Sequence, residues 1–306
     1  MIALPIVLGP TASGKSDLAI HIARAVGGEI VNCDSMQVYK GFDIGTAKVL
    51  EGAQQGVPHH LIDVANPDQV FTAGDYARVA REVLSQIAKR GRRAVVAGGT
   101  GFYLRALLEG LFPGPARDPE IRARLQRREG QRPGSLHRIL SRLDPAAAAR
   151  IHSNDKNKII RALEVRLVEG EPMSELFDRG RESLEGFRPI KIGLNPPREQ
   201  LYQRMDARAM RIFEQGLVDE VRGLLAAGVP RDSKPFESLG YKQALEVLEG
   251  RLTPEQAVAS TQLETRRYAK RQLTWFRREH SVHWLSGFGQ EPVVQQKALA
   301  LVAAEF

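Results

Sequence analysis

The sequence predicts an α/β protein, with a parallel β-sheet as its core and an inserted helical domain. Short apolar runs alternate with helical patterns up to residue 115, which is typical of a parallel sheet covered on both faces. Between residues 117 and 181 no strand-like run occurs, and Arg, Ala, Leu and Glu dominate. The predicted domains are therefore 1–115 for the first part of the core, 116–187 for the helical insertion, and 188–306 for a return strand and C-terminal helices.

Each core element follows from a local pattern. The first strand is expected at residues 6–8, after Pro5, because proline cannot donate a hydrogen bond to a sheet. A helical pattern through Leu18, Ile22 and Ala25 stops at Gly27. Later strands are predicted at 29–33, 93–97, 190–194 and 282–285, and later helices at 76–90, 198–213, 214–227, 254–279 and the C-terminus.

Composition restricts the class of protein. The chain has 306 residues, of which 42% are hydrophobic and 26% charged, so it has the composition of a folded domain. Its one cysteine excludes an internal disulfide and a four-cysteine zinc site, and it favours a reducing compartment. No apolar run approaches the roughly 20 residues that span a bilayer, and the N-terminus lacks the basic region of a signal peptide. We expect a soluble cytoplasmic protein.

The positive charge lies mostly outside the N-terminal segment. The chain carries 44 Lys and Arg against 36 Asp and Glu, a formal charge of +8. The balance is +1 over residues 1–115, +4 over 116–190 and +3 over 191–306. A nucleic acid is therefore a candidate partner, although a modest surplus also suits an ordinary solvated surface.

A glycine-rich loop follows the first strand. Residues 9–16, GPTASGKS, match the pattern G-x-x-x-x-G-K-[ST], with a strand before and a helix after. Backbone N–H groups of such a loop wrap phosphates, Lys15 supplies a positive charge, and the hydroxyl of Ser16 suits Mg²⁺. The positive end of the following helix attracts the same anion. These features predict a core like that of the P-loop NTPases, and a phosphate-binding site.

Phosphate binding does not establish ATP hydrolysis. A P-loop NTPase usually carries an Asp at the end of another strand, where it helps to hold Mg²⁺. The strand at 93–97 instead leads into Gly98, Gly99 and Thr100, whereas the strand at 29–33 leads into Asp34. Ligands bind at the carboxyl ends of strands in such sheets. Asp34 is thus a candidate functional acid, or alternatively a turn or helix-cap residue.

The helix expected from Thr253 onward has an unusually basic face. Val258, Tyr268, Ala269, Leu273, Trp275 and Phe276 form one side, expected to be core. The opposite arc contains six basic residues: Arg266, Arg267, Lys270, Arg271, Arg277 and Arg278. This charge suits a phosphate backbone, although a solvated helix face remains the alternative.

Three other features predict no chemistry. His59–His60 and the pair His280 and His283 lack a third ligand at metal spacing, so we expect no metal site there. Cys33 ends a strand and is expected to be a small buried hydrophobe. No Ser, His and Asp arrangement stands out from chance.

Several segments together resemble one family. They are GPTASGKS at 9–16, NCDSMQVYKGFDIGTAK at 32–48, PHHLID at 58–63, AGGTGFYLRALLEGL at 97–111, NKIIRALEV at 157–165, GYK at 240–242 and RRYAKRQLTWFRR at 266–278. In this order they resemble the bacterial tRNA dimethylallyltransferases, from residue 5 to about 285. The segments at 97–111 and 266–278 are far more specific than a P-loop.

The resemblance implies a reaction. The family transfers a dimethylallyl group from dimethylallyl diphosphate to N6 of the adenine immediately 3′ of the anticodon in tRNA. A diphosphate requires the P-loop and Mg²⁺ but no water-activating acid, and RNA requires the basic helix. The partners implied are tRNA, through its anticodon stem-loop, and dimethylallyl diphosphate, with a monomeric enzyme and no membrane.

The resemblance also implies site residues. Asp34, Lys15 and Thr100 would be catalytic, with Asp34 the general base that accepts the N6 proton. Ser16 and Thr100 would position Mg²⁺. Residues 9–16 and Arg208 would bind diphosphate: Gly9, Pro10, Thr11, Ala12, Ser13, Gly14, Lys15, Ser16 and Arg208. The remaining residues would contact tRNA: Asp34, Ser35, Met36, Gln37, Thr100, Arg122, Asn157, Lys158, Ile159, Ile160, Arg161, Gly240, Tyr241, Lys242, Arg267, Lys270, Arg271 and Arg278. The segment HSNDKNK at 152–158 departs from the HPND of many relatives.

Two alternatives from other classes stay open. A P-loop kinase using ATP is disfavoured by the missing acid at residue 98 and by the basic helix. An RNA-binding protein without activity is disfavoured by the intact set of Lys15, Ser16, Asp34 and Thr100.

Overall fold

The structure, a computed structural model, describes residues 1–112, 114–178 and 180–305. It contains two compact units: residues 1–108 with the described residues from 184 onward, and residues 109–183. The helical insertion was expected to end at 187, whereas the helical unit ends earlier because Phe187 already pairs with Ile2 in the sheet.

The first unit is built on one parallel sheet of six strands, in the order β3-β2-β4-β1-β5-β6. Its strands are β1 (Ile2–Leu8), β2 (Gly28–Asn32), β3 (His59–His60), β4 (Arg93–Ala97), β5 (Phe187–Leu194) and β6 (Val282–Leu285). The predicted α/β class is confirmed. Because β2, β4 and β1 are neighbours and parallel, the loops after Asn32, Ala97 and Leu8 emerge at one edge of the sheet.

The expectation that the first strand begins after Pro5 is wrong, since β1 starts at Ile2. The strand pairs with β5 along its whole length, whereas its pairing with β4 begins only at Ile6. Pro5 lacks a backbone N–H, but it precedes the first residue that pairs with β4, so the hydrogen bonds between β1 and β4 stay intact. The strand therefore tolerates proline at this position.

Helices cover the sheet of the first unit. They are α1 (Lys15–Val26), α2 (Ala73–Lys89), α3 (Gly101–Glu109), α9 (Arg198–Glu214), α10 (Leu217–Ala226), α11 (Tyr241–Leu248), α12 (Pro254–Phe276) and α13 (Pro292–Ala303), with 3₁₀ turns at Glu51–Ala53 and Lys234–Glu237. Strand residues such as Val7 and Ile192 pack with Leu18 of α1 and Val294 of α13 in the core.

Local sequence explains where α12 begins. The side chain of Thr253 accepts a hydrogen bond from the N–H of Gln256, and the Gln256 side chain accepts one from the N–H of Thr253. Pro254 occupies the first helical turn, where its missing N–H has no cost. The start predicted from the sequence is confirmed.

The second unit is helical, with α4 (Pro119–Gln131), α5 (Ser135–Leu143), α6 (Pro145–Arg150), α7 (Lys156–Glu169) and α8 (Met173–Asp178). It has its own apolar core, in which Leu136, Leu140, Ile159 and Leu163 are buried. In the described part of the chain, no helix is long and apolar enough to cross a membrane.

Candidate active site

The loop between β1 and α1 has a fixed, closed shape. The Ser13 hydroxyl donates to the carbonyl of Pro10 at 2.8 Å, and Ser13 is fully buried. Ala12 and Gly14 have φ of +63° and +82°, in the left-handed region. Glycine is favoured there at position 14, while Ala12 accepts some strain. The sequence GPTASGKS therefore forms a preformed cradle in the described structure.

A C-terminal loop closes one side of this cradle, which the sequence did not indicate. The N–H of Gly289 donates to the Ser13 carbonyl at 2.9 Å. A Cβ on Gly14 would lie 2.2 Å from Oε1 of Gln290 and 2.8 Å from the nitrogen of Gly289. Position 14 must therefore be glycine for a second reason, the close approach of this loop.

A cavity of about 310 Å³ opens beside the cradle, and three cationic side chains line it: Lys15, Arg204 and Arg208. Lys15 donates to the Pro10 carbonyl at 2.7 Å, and Arg208 donates to the Thr11 hydroxyl at 3.2 Å. Burial lowers the pKa of Lys15 to about 8, against the charge of Asp34, which raises it. This cavity has the charge and the N–H donors to hold a diphosphate.

A second cavity of about 330 Å³ adjoins the first. Its lining includes the loop residues Ser35 and Met36 and the apolar side chains of Met205 and Ile212. Five residues line both cavities: Thr11, Asp34, Thr46, Arg208 and Tyr268. A molecule in the second cavity would therefore meet a phosphate ligand in the first at Asp34.

Asp34 combines the two roles considered from the sequence. Its Oδ1 accepts hydrogen bonds from the N–H groups of Met36 at 2.9 Å and Gln37 at 3.4 Å, so it forms a turn. Among the described residues, Oδ2 has no hydrogen-bond partner. One oxygen thus holds the loop, while the other is available to accept a proton.

Thr100 lies behind this loop and lines neither of these two cavities. Its Oγ1 accepts from the N–H of Ser35 at 3.0 Å and donates to the Ser35 hydroxyl at 3.3 Å. This placement differs from the expected catalytic, metal-binding and tRNA-binding roles of Thr100, because its hydroxyl is used within the protein. The geometry indicates that Thr100 positions the loop carrying Asp34.

The donor set for a metal is small. No cluster of three or more His, Cys, Asp or Glu that could hold an ion occurs in the described parts of the chain. Ser16, Asp17, Asn32 and Asp34, whose side chains carry oxygen atoms, line the cavity beside the cradle. Mg²⁺ takes oxygen ligands and is commonly held by few protein groups together with substrate phosphates and water. The residues present fit such an ion.

The basic face of α12 and of the turn that follows it is largely exposed, as expected, although the helix ends at Phe276 and not at residue 279. Arg267, Lys270, Arg271, Arg277 and Arg278 are exposed, although Arg267 also pairs with Glu264 at 2.6 Å. Arg266 differs, because its guanidinium forms a two-bond ion pair with Asp206 of α9.

The side of α12 opposite the basic face is less buried than predicted. Only Ala269 and Phe276 of the six expected core residues are fully buried, and Tyr268 instead lines both cavities. Burial raises the pKa of Tyr268, and the negative charge of Asp34 adds to the shift.

Gln272 is one of the site residues that the sequence analysis missed, together with Arg204 and Tyr268. Gln272 is buried on α12, its Oε1 accepts from the N–H of Thr11 at 2.8 Å, and its Nε2 donates to the carbonyl of Gly99 at 2.9 Å. The available signal was a lone amide inside the arc that otherwise holds apolar residues.

The remaining residues expected at tRNA divide into exposed and structural ones. In the helical unit, Asn157 and Lys158 are exposed, whereas the side chains of Ile159 and Ile160 are buried in its core. Their side chains therefore have a packing role, and the tRNA contacts expected at these two positions stay a prediction. Arg122 and Arg161 both pair with buried Glu164, at 2.9 and 2.7 Å, which compensates its charge.

The segment at 240–242 is similarly divided. Tyr241 is fully buried and donates to Glu220 at 2.5 Å, so its side chain is structural, and the tRNA contact expected at this position stays a prediction. Gly240 has φ of +86°, and a Cβ there would lie 3.1 Å from both Ile212 and Leu217. Lys242 is exposed and stays a predicted tRNA contact.

Comparisons with known proteins identify the family of this chain. The family model described as IPP transferase matches residues 37–279. A tRNA dimethylallyltransferase of Solibacter usitatus is 58% identical over 297 residues, covering 97% of each chain. One of Geobacter sulfurreducens is 48% identical over 285 residues, covering 92% of this chain and 91% of its own.

Solved structures show the same fold. A tRNA isopentenylpyrophosphate transferase of Bacillus halodurans has a TM-score of 0.73 and 35% identity, covering 100% of this chain and 96% of its own. A eukaryotic dimethylallyltransferase acting on tRNA has a TM-score of 0.82 and 26% identity, covering 99% of this chain and 78% of its own. With its P-loop cradle, its adjoining cavities and these likenesses, the chain belongs to the IPP transferase family.

Proposed function

We propose that this protein is a tRNA dimethylallyltransferase. It transfers the dimethylallyl group of dimethylallyl diphosphate to N6 of the adenine immediately 3′ of the anticodon, and diphosphate leaves. The observation that carries the proposal is the pair of cavities that share Asp34, Thr11 and Arg208. One cavity has the cations and backbone donors for a diphosphate, and the other has the size and the mixed lining for a base.

The diphosphate end is assigned to the cradle of residues 9–16. Its N–H groups, Lys15 and Arg208 stabilise the negative charge that grows on the leaving group as the allylic carbon–oxygen bond breaks. Arg208, expected only as a second cation, donates to Thr11 and lines both cavities, which supports that assignment.

The adenine end is assigned to the cavity beside Ser35 and Met36. N6 can reach a buried carbon only if the base leaves the stack of the anticodon loop. Oδ2 of Asp34 then accepts the N6 proton as the new carbon–nitrogen bond forms. Because N6 is a weak nucleophile, much of the rate enhancement comes from holding the two reactants together.

Mg²⁺ is the proposed cofactor. The hydroxyl of Ser16 and oxygens of the bound diphosphate would hold it, and Ser16 is favoured over Thr100 because the Thr100 hydroxyl is bonded to Ser35. When bound, Mg²⁺ neutralises charge on the diphosphate.

The anticodon stem-loop of tRNA is the proposed partner. Exposed basic residues of α12 and Lys242 supply contacts to its phosphates. Asn157 and Lys158 of the helical unit are exposed and serve the same purpose. We propose a cytoplasmic enzyme that acts as a monomer, because both cavities are formed within the first unit of one chain.

The experiment is transfer from radiolabelled dimethylallyl diphosphate to unmodified tRNA, followed by mass spectrometry of the digested RNA. The expected product carries the dimethylallyl group on the adenine next to the anticodon, and its formation requires Mg²⁺ but no ATP. ATP consumption without such a product would instead support the kinase alternative. Binding of tRNA with neither reaction would support the RNA-binding alternative.

A further inference from the structure

We infer that Gln272 is a positioning residue that fixes the separation between the diphosphate cradle and the loop carrying Asp34. The inference rests on the proposed function, because the separation matters only if groups bound at these two places react. The side chain lines the diphosphate cavity, but both ends of its amide are bonded to the protein. It acts through Thr11 on one side and Gly99 on the other.

The amide of Gln272 joins two loops that follow neighbouring strands. The cradle follows β1, and the loop that contains Gly99 follows β4. Oε1 accepts from the N–H of Thr11 at 2.8 Å, and Nε2 donates to the carbonyl of Gly99 at 2.9 Å. Gln272 is only 6% exposed, so water does not compete well for these bonds.

The hydrogen bonds continue beyond both loops to the reacting groups. On one side, Thr100 follows Gly99 and its Oγ1 accepts from the N–H of Ser35 at 3.0 Å, directly beside Asp34. On the other side, the hydroxyl of Thr11 accepts from Arg208 at 3.2 Å. Gln272 is thus the central link between the proton acceptor and a cation of the leaving group.

The backbone at Gly99 is shaped for this link. A Cβ at position 99 would lie 2.3 Å from Nε2 of Gln272, closer than real Cβ contacts. Glycine therefore lets the amide approach the carbonyl, and the second glycine-rich loop has a role that does not involve phosphate. The same helix exposes Arg271 to solvent, so Gln272 belongs to the inner side of the proposed RNA-binding helix.

Gln272→Met tests the link, because methionine has a similar length but forms a hydrogen bond with neither Thr11 nor Gly99. We expect kcat to fall by up to about 10²-fold, the size associated with a misplacement of about 1 Å. The KM for tRNA should change little, because the exposed arginines remain. Gln262→Met is the matched control on the same helix, since Gln262 donates only to the Asp206 carbonyl at 3.3 Å, away from both loops.

Gln272→Glu supplies a readout that loss of packing cannot produce. The carboxylate still accepts from Thr11, but it repels the Gly99 carbonyl until it takes up a proton. Burial favours the protonated form, which can donate to Gly99 as the amide does. The ratio of variant to wild-type kcat should therefore rise as the pH falls.

The measurement is kcat and KM for both substrates across pH, with thermal melts of each variant. An unchanged kcat in folded Gln272→Met would overturn the inference while leaving the proposed function intact. If Gln272→Met does not fold, the pH dependence of Gln272→Glu decides alone, and a ratio that does not vary with pH overturns the inference. A wild-type protein that fails to transfer the dimethylallyl group overturns the proposed function instead.

Discussion

The two glycine-rich loops look alike in the sequence but differ in what their polar atoms do. In the loop at 9–16, Lys15 and Ser16 line a cavity, together with the flexible side chains of other elements. In the loop at 98–101, Thr100 is bonded to Ser35, and Gly99 is bonded to Gln272. The first loop presents polar side chains to the cavity, whereas the second contributes Gly98 to the same cavity and uses its other polar groups to hold parts of the protein.

In both loops a glycine lies close to other parts of the protein backbone. A Cβ on Gly98 would lie 2.0 Å from the carbonyl oxygen of Cys33, which is backbone and cannot move aside. A Cβ on Gly14 meets mainly the amide of Gln290 and the backbone at Gly289. A glycine-rich loop at a strand end thus indicates close backbone contact, and only the neighbours decide whether that contact is with a ligand or with the protein.

The largest expected effect comes from Asp34, and it distinguishes the roles of its two carboxylate oxygens. Asp34→Asn keeps an oxygen that can accept from Met36 and Gln37, but it cannot take a proton from N6. We expect kcat to fall by about 10²–10⁴-fold, the contribution of a general base, with pyrophosphate affinity almost unchanged. Single-turnover kinetics and calorimetry measure these quantities. A normal rate in Asp34→Asn would leave Asp34 with the turn role alone.

Next comes a direct contrast between the hydroxyls of the two loops. Ser16→Ala should raise the Mg²⁺ concentration needed for half-maximal rate, since Ser16 lines the diphosphate cavity. Thr100→Val should lower kcat by about tenfold without that change, because the N–H of Ser35 loses its buried acceptor at a cost of about 1–3 kcal/mol. Thr100→Ser is the control that keeps the hydroxyl. A shifted Mg²⁺ requirement in Thr100→Val would restore the metal role expected from the sequence.

The first loop should also show its own pH dependence. Burial lowers the pKa of Lys15 to about 8 in the free protein, so Lys15 is charged below that pH and neutral above it. Affinity for diphosphate should therefore fall as the pH rises through about 8. Bound diphosphate favours the charged form, so binding above this pH should take up a proton, which calorimetry in several buffers detects.

Lys15→Arg is the matched control for this pH dependence. Arginine stays charged over the whole range, so any remaining affinity should not fall near pH 8. The same fall in Lys15→Arg would assign the pH dependence to another group.

The smallest effect per residue is expected outside both loops, on the exposed face of α12. Changing Arg267, Arg271 and Arg278 together to Glu should weaken tRNA binding, with each lost phosphate contact reducing the salt slope by about 0.7–0.9. The KM for dimethylallyl diphosphate should change little. Arg266→Gln is the control, because its guanidinium is engaged by Asp206. An unchanged slope in the folded triple variant would make this face a solvated surface.

Much of the fold followed from local patterns. The strands Arg93–Ala97 and Val282–Leu285 and the start of α12 at Pro254 were placed from the sequence, because alternating apolar runs and capping residues act over a few positions. The strand before Pro5 was missed, because its stability depends on pairing with β5, which lies far along the chain.

The sequence could predict those candidate site residues whose role follows from their residue type and from their position soon after a strand. Lys15, Ser16 and Asp34 were identified in this way, and Arg208 through the family resemblance. The burial of the Ile159 and Tyr241 side chains could not be predicted in this way. A segment that lies near a ligand contains some side chains that face the ligand and others that pack behind them.

The sequence by itself determined the phosphate cradle, the acid after the neighbouring strand and the charge on α12, since motif, periodicity and residue type are local properties. Only the tertiary structure decided that Thr100 supports Ser35, that Arg266 pairs with Asp206, and that Gln272 joins Thr11 to Gly99. Thr11 and Gln272 are 261 positions apart, and a hydrogen bond forms only between atoms that the whole fold brings within about 3 Å.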